Sequence, residues 1–87
     1  MTANSDDEYK RLCWHSRRGM LELDLMLGPF VQERYLGLGA DMQSAYQRLL
    51  GCEDQDLFRW LLRAEQVEDK EIATIVDEII RFARTAT

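Results

Sequence analysis

One histidine, two cysteines and scattered carboxylates are among the side chains of this 87-residue chain that could do covalent or acid–base chemistry. His15 stands alone, so no multi-histidine metal site can form, and Cys13, two positions before it, falls on a different side of a helix. Spacing leaves room for a Cys52–His15–carboxylate arrangement, because such triads are not sequential. A boundary histidine near a helix end is the simpler reading. Glu22 and Asp24 are two apart, so on a helix they point about 160–200° from each other and do not form an acid–base couple. The glycines at 19, 28, 37, 39 and 51 never approach a G-x-G-x-x-G or phosphate-loop spacing, and there is no Gly-x-Ser-x-Gly elbow and no H-E-x-x-H. No catalytic or metal-ligating residue is assigned, and the chain is expected not to be an enzyme.

What remains is recognition chemistry, concentrated in Arg17-Arg18-Gly19-Met20-Leu21-Glu22-Leu23-Asp24. Arginine presents a planar fork of donors suited to a carboxylate or a phosphate. A glycine beside it keeps the backbone bare for a partner's approach, and Glu22 can accept a donor. A purely structural reading pairs Arg18 with Glu22 at i, i+4, worth only about 0.2–0.5 kcal/mol. So weak a pair requires neither a glycine between its members nor a second arginine beside them. Arg17, Arg18, Gly19, Glu22 and Asp24 are therefore the candidate partner-binding residues. The partner is not expected to be nucleic acid. The formal charge is −5, and residues 53–71 hold seven acidic side chains against three basic ones. Phosphate-backbone binding is driven by Lys and Arg that release counterions.

The elements that must position this junction are helical. Ser5 and Glu8 have the spacing of a reciprocal capping box, residues 1–4 ahead of them are expected to be disordered, and Tyr9, Leu12 and Cys13 form the inner stripe of a first helix. Arg17 and Arg18 fall in its last turn, and Gly19 is placed to close it in a left-handed conformation. A second segment, about 20–36, is apolar nearly all round, which suits a central helix or one packed on the domain on one side and a partner on the other. Pro29 should kink or split it near 25–28, and Gly37 and Gly39 end it. Met42, Ala45, Tyr46, Leu49 and Leu50 mark a third helix closed by Gly51. Asp54 is the expected cap of a short fourth, with Leu57, Phe58, Leu61 and Leu62 inward and Trp60 to the side. Ile72, Ile75, Val76, Ile79, Ile80 and Ala83 make the fifth, capped by Glu68 or Asp69. No hairpin turn of the Asn-Gly or Asp-Gly type occurs. The fold expected is all-α, a small bundle of about five helices with short connections.

A chain of this length makes one small domain and buries roughly 60–65% of its unfolded surface. Its stability should be on the order of 5 kcal/mol, with little room for an enclosed active site. The acidic N-terminus is unlike a secretory or transit signal. The apolar run 25–31, interrupted by Gly28 and Pro29, is far shorter than the ~20 residues of a membrane span. Cys13 and Cys52 read as reduced, partly buried small hydrophobes. Localisation in the cytoplasm is the expectation.

The junction also resembles a known family. Arg18-Gly19-Met20-Leu21-Glu22 matches the R-G-x-x-E signature of the succinate dehydrogenase FAD assembly factors, and Asp56-Leu57-Phe58-x-Trp60-Leu61 is similar to their D-L-F-x-W-L segment. The likeness runs from about Tyr9 to Ile80. It implies a small all-α chaperone that binds the flavoprotein subunit of succinate dehydrogenase, and often of fumarate reductase, and promotes covalent attachment of FAD to a histidine of that subunit. Arg18, Gly19 and Glu22 would carry over as interface residues, with Arg17 and Asp24 as neighbours. FAD would belong to the client, with none bound stably by this chain, and the free protein is expected to be monomeric. An antitoxin-like protein that neutralises a toxin through the same surface is the alternative. Gln55 departs from a proline common in relatives and Gly39 from a serine cap. Both touch helix starts, not the signature.

Overall fold

A computed structural model describes residues 3–63 and 65–85, with side chains described from Tyr9 onward. Among these residues the chain is all-α. It runs α1 (Ala3–His15), α2 (Leu21–Glu33), a 3-10 turn (Tyr35–Gly37), α3 (Ala40–Leu50), α4 (Asp54–Leu61) and α5 (Lys70–Thr85). α1 starts two residues before Ser5, while the capping pair of Ser5 and Glu8 lies outside the described side chains, and residues 1 and 2 of the expected disordered segment lie outside the described residues.

α5 is the centre of the packing, lying mainly against α3 and also against α2 and α4. The expected stripe explains this: Ile72, Ile75, Val76 and Ile79 are buried, one or two per turn, and Phe82 continues them at the far end. Asp69 caps the helix, its Oδ1 accepting the N–H groups of Glu71 at 2.9 Å and Ile72 at 3.1 Å. Arg48 of α3 reaches Asp69 at 2.7 Å and also pairs with Glu71, which staples the two helix ends and holds the Asp69 carboxyl below its ordinary range. Four rings fill the middle of the core. Phe30 lies 5.6 Å from Tyr46 and 5.7 Å, edge-on, from Phe82, and Tyr35 lies 5.6 Å from Tyr46.

α2 is not split at Pro29. The bond that proline removes would have run to the carbonyl of Leu25, and both residues face solvent, where water can satisfy that carbonyl. The helix instead ends at Glu33, earlier than expected, and Tyr35–Gly37 continues as a 3-10 turn with Tyr35 buried. Gln43 and Gln47 of α3 hold that turn by donating to the Tyr35 carbonyl at 2.9 Å and hydroxyl at 2.8 Å. α3 begins at Gly39, which offers no side-chain cap, and closes at Gly51. In α4, Leu57 and Leu61 are buried and Trp60 is half-buried, but Leu62 follows the last turn and is exposed. The N-cap of α4 is Glu53, so Asp54 is released from the role expected of it.

Candidate partner-binding site

The site is built where α1 stops. The helix ends at His15, and Ser16 and Arg17 close it through amide bonds to the carbonyls of Leu12 at 2.9 Å and Trp14 at 3.1 Å. Ser16 is buried. Its hydroxyl donates to the Leu12 carbonyl at 2.9 Å, so the 2.6 Å bond it shares with Tyr46 is donated by the tyrosine. Burial pushes the Tyr46 hydroxyl up to about 12, against the opposing effect of that bond and of nearby Arg18. The end of α1 is thereby pinned to α3.

Arg17 and Arg18 lie beyond the helix, not in its last turn. Their side chains diverge. Arg17 is exposed, whereas the Arg18 side chain is only 16% exposed. The Arg18 guanidinium turns inward, where Nη2 donates to the Leu50 carbonyl at the end of α3 and Nε stands 3.7 Å from Asp54 Oδ1 of α4. Nε itself makes no hydrogen bond. The Arg18–Glu22 pair of the purely structural reading does not form; Asp54 stands beside the guanidinium instead.

The backbone of the junction is held as firmly. The Arg18 N–H donates to the carboxylate of Asp24, and the Gly19 N–H donates to Asp54 Oδ2 at 3.2 Å. Gly19 is not in the left-handed region, and a Cβ built on it would meet Asp54 Oδ2 at 3.5 Å, an ordinary contact. What the glycine leaves open here is surface. Met20 precedes α2 in extended conformation without a side-chain cap, and Asp24, one turn into α2, reaches back to accept the Arg18 N–H ahead of the helix.

Of the five expected residues, three are therefore joined in one network: Arg18, Gly19 and Asp24, with Asp54 of α4 tied to the first two. Arg17 and Glu22 face solvent beside it. Around them lie three large apolar side chains left in water: Trp14 at 71% exposure, Leu21 at 69% and Leu25 at 65%. Leu21 and Leu25 are one helical turn apart on the face of α2 turned away from the core. Trp14 and Arg17 share the wall of an open groove of about 610 Å³ between α1 and α2. Sequence reasoning saw surplus apolar residues here without separating the exposed ones from Leu23 and Leu27, which are fully buried. Asp54 and Ser16 were missed as parts of the site. Asp54 is 35 residues from Gly19, and no local pattern announces the contact.

Nucleophilic chemistry finds little support nearby. Cys13 and Cys52 are free and half-buried, and burial, then the negative charge of Asp56, pushes the Cys52 thiol up, away from the thiolate that a nucleophile needs. His15 is exposed at the end of α1. Among the described residues no group of three His, Cys, Asp or Glu side chains is placed to hold a metal ion, and no helix is long and apolar enough to cross a membrane.

Comparison with known proteins finds relatives along most of the chain. A family model described as the flavinator of succinate dehydrogenase matches residues 10–83. An FAD assembly factor SdhE of Pseudomonas aeruginosa is 52% identical over 86% of this chain and 89% of its own length. Relatives of the same name from Pseudomonas syringae pv. syringae and Idiomarina loihiensis are 51% and 44% identical over 86% and 84% of this chain, covering 89% and 77% of their own lengths.

Proposed function

The chain belongs to the family of succinate dehydrogenase flavinators, and from that premise we propose that it is an assembly chaperone that binds the flavoprotein subunit of succinate dehydrogenase, and that of fumarate reductase, and promotes covalent attachment of FAD. The observation that carries this reading is the exposure of Trp14, Leu21 and Leu25 beside Arg17, Gly19 and Glu22. Binding energy in protein interfaces concentrates in aromatic and arginine anchors, with charged groups at the rim fixing orientation. Here a tryptophan, two leucines and an arginine stand on a rigid helix junction, so they meet a partner without first being ordered.

Such a surface works by binding. FAD stays with the client, this chain holds none stably, and the bond to the client's histidine forms within the client without a catalytic side chain from the chaperone. The chaperone's part is to hold a mobile segment of the immature subunit so that flavin and histidine meet. A bound conformation is favoured only by as much as the binder's differential affinity for it, so this surface prefers the unflavinylated subunit over the finished one. The free chaperone is monomeric and acts in the cytoplasm.

Deleting the chain from its cell and measuring covalent flavin fluorescence on the dehydrogenase subunit in a denaturing gel tests the proposal. Fluorescence should fall sharply and return on re-expression. Undiminished fluorescence would refute it.

A further inference from the structure

We infer that Asp54 is a positioning residue for the client-binding junction, acting through Arg18 and Gly19, and that Arg18 serves the interface from inside instead of touching the client. The inference rests on the client-binding reading above and assigns a role within it to a residue outside the signature.

The geometry ties Asp54 of α4 to both residues of the junction. One carboxylate oxygen, Oδ2, accepts the Gly19 N–H at 3.2 Å. The other, Oδ1, lies 3.7 Å from Arg18 Nε. The same guanidinium donates through Nη2 to Leu50, the last residue of α3, while the Arg18 amide donates to Asp24 of α2. The two-residue stretch Arg18–Gly19 is therefore tied to α2, α3 and α4 at once. The Arg18 side chain, with 16% of its surface exposed, has little left to offer a partner. Asp54 sits at the first position of α4, where a carboxylate is also favoured by the positive helix end. Glu53 already occupies the N-cap, which leaves the Asp54 side chain free to cross to the junction.

The functional consequence is preorganisation. Trp14 and Arg17 precede this stretch and Leu21 and Glu22 follow it, so the angle between the two groups of exposed residues is set by residues 18–19. Removing the tie lets that angle vary. If the junction then adopts its binding geometry about a tenth of the time, apparent affinity falls about 10-fold, because only the competent fraction binds.

The test is a double-mutant cycle on the full chain. Binding to purified, unflavinylated flavoprotein subunit is measured for wild type, Asp54→Ala, Arg18→Gln and the double variant. Amide hydrogen exchange of Gly19 is followed in each free protein. If the two residues form one brace, each single change weakens binding about 10-fold and the double change costs little more than either, since members of one network are not additive. Gly19 exchange should quicken in Asp54→Ala while the α5 amides keep their protection. Asp54→Asn, which keeps an acceptor for the Gly19 N–H but loses the charge beside Arg18, should fall between wild type and Asp54→Ala, and it stands in if Asp54→Ala does not fold. Losses that add in the double variant would show Arg18 contacting the client on its own, and unchanged Gly19 exchange would show no brace. Either result overturns this inference alone. A wild-type chain that does not bind the subunit overturns the client reading and this inference with it.

Discussion

At the scale of single residues, the junction separates side chains that build from side chains that are offered. Arg18 and Asp24 carry charges consumed by the fold, whereas Trp14, Arg17, Leu21, Glu22 and Leu25 face water. Truncating Trp14 to alanine should therefore leave the melting temperature nearly unchanged, as exposed substitutions usually stay within about 0.5 kcal/mol. Affinity for the unflavinylated subunit should drop by about 2 kcal/mol, roughly 30-fold, as for an aromatic anchor; calorimetric titration reads the second and a thermal melt the first. Gly19→Arg should abolish that binding and keep the helical circular-dichroism spectrum, because the backbone there is not left-handed and the first carbon of a side chain has room. Binding that survives this change would remove the junction as the interface. Tyr46 supports the site from beneath. Its hydroxyl resists ionisation up to about 12, whereas in the unfolded chain it ionises near 10.0. The unfolded state thus holds fewer protons between those values, and stability present below pH 10 is lost as pH rises toward 12, by about 2–3 kcal/mol. Tyr46→Phe should flatten that alkaline decline in a series of denaturant melts, at a cost of about 1 kcal/mol at neutral pH for the lost bond to Ser16.

At the scale of elements, helix ends decide more than helix interiors. α5 was legible because its stripe and its Asp69 cap lie within a few residues of one another, and α3 because its spacing ends at Gly51. Asp54 shows the opposite case. An aspartate before a short apolar run reads as a cap from local sequence, yet Glu53 takes that position and Asp54 spends its carboxylate on a loop 35 residues away. Pro29 shows the same dependence on surroundings, since a proline in an exposed helix face orphans a carbonyl that water can reach. Gly39 leaves α3 without a side-chain cap, in extended conformation and with open space around it. Gly39→Ser should add an acceptor for the first-turn amides and stabilise the protein by a few tenths of a kcal/mol, raising the melting temperature by about 1–3 °C. An unchanged or lowered melting temperature would show that the start of α3 is already satisfied.

At the scale of the whole molecule, α5 is the element on which α2, α3 and α4 pack. Ile79 is fully buried on it. Ile79→Ala should cost about 2–5 kcal/mol, a large share of a total on the order of 5, and a denaturant melt should find the variant partly unfolded at room temperature. The helical class, the number of segments and the place of the α1–α2 junction were all readable from residue order, because capping, periodicity and the two short motifs are properties of neighbours in sequence. Which of residues 20–27 are buried was not, since a segment apolar nearly all round fits several rotations and packing against α1, α4 and α5 chooses among them. Nor could residue order place Arg18 inside. A charged side chain goes in only where a carboxylate and a carbonyl from distant helices meet it, and that meeting of Asp54 and Leu50 exists only once the bundle has closed.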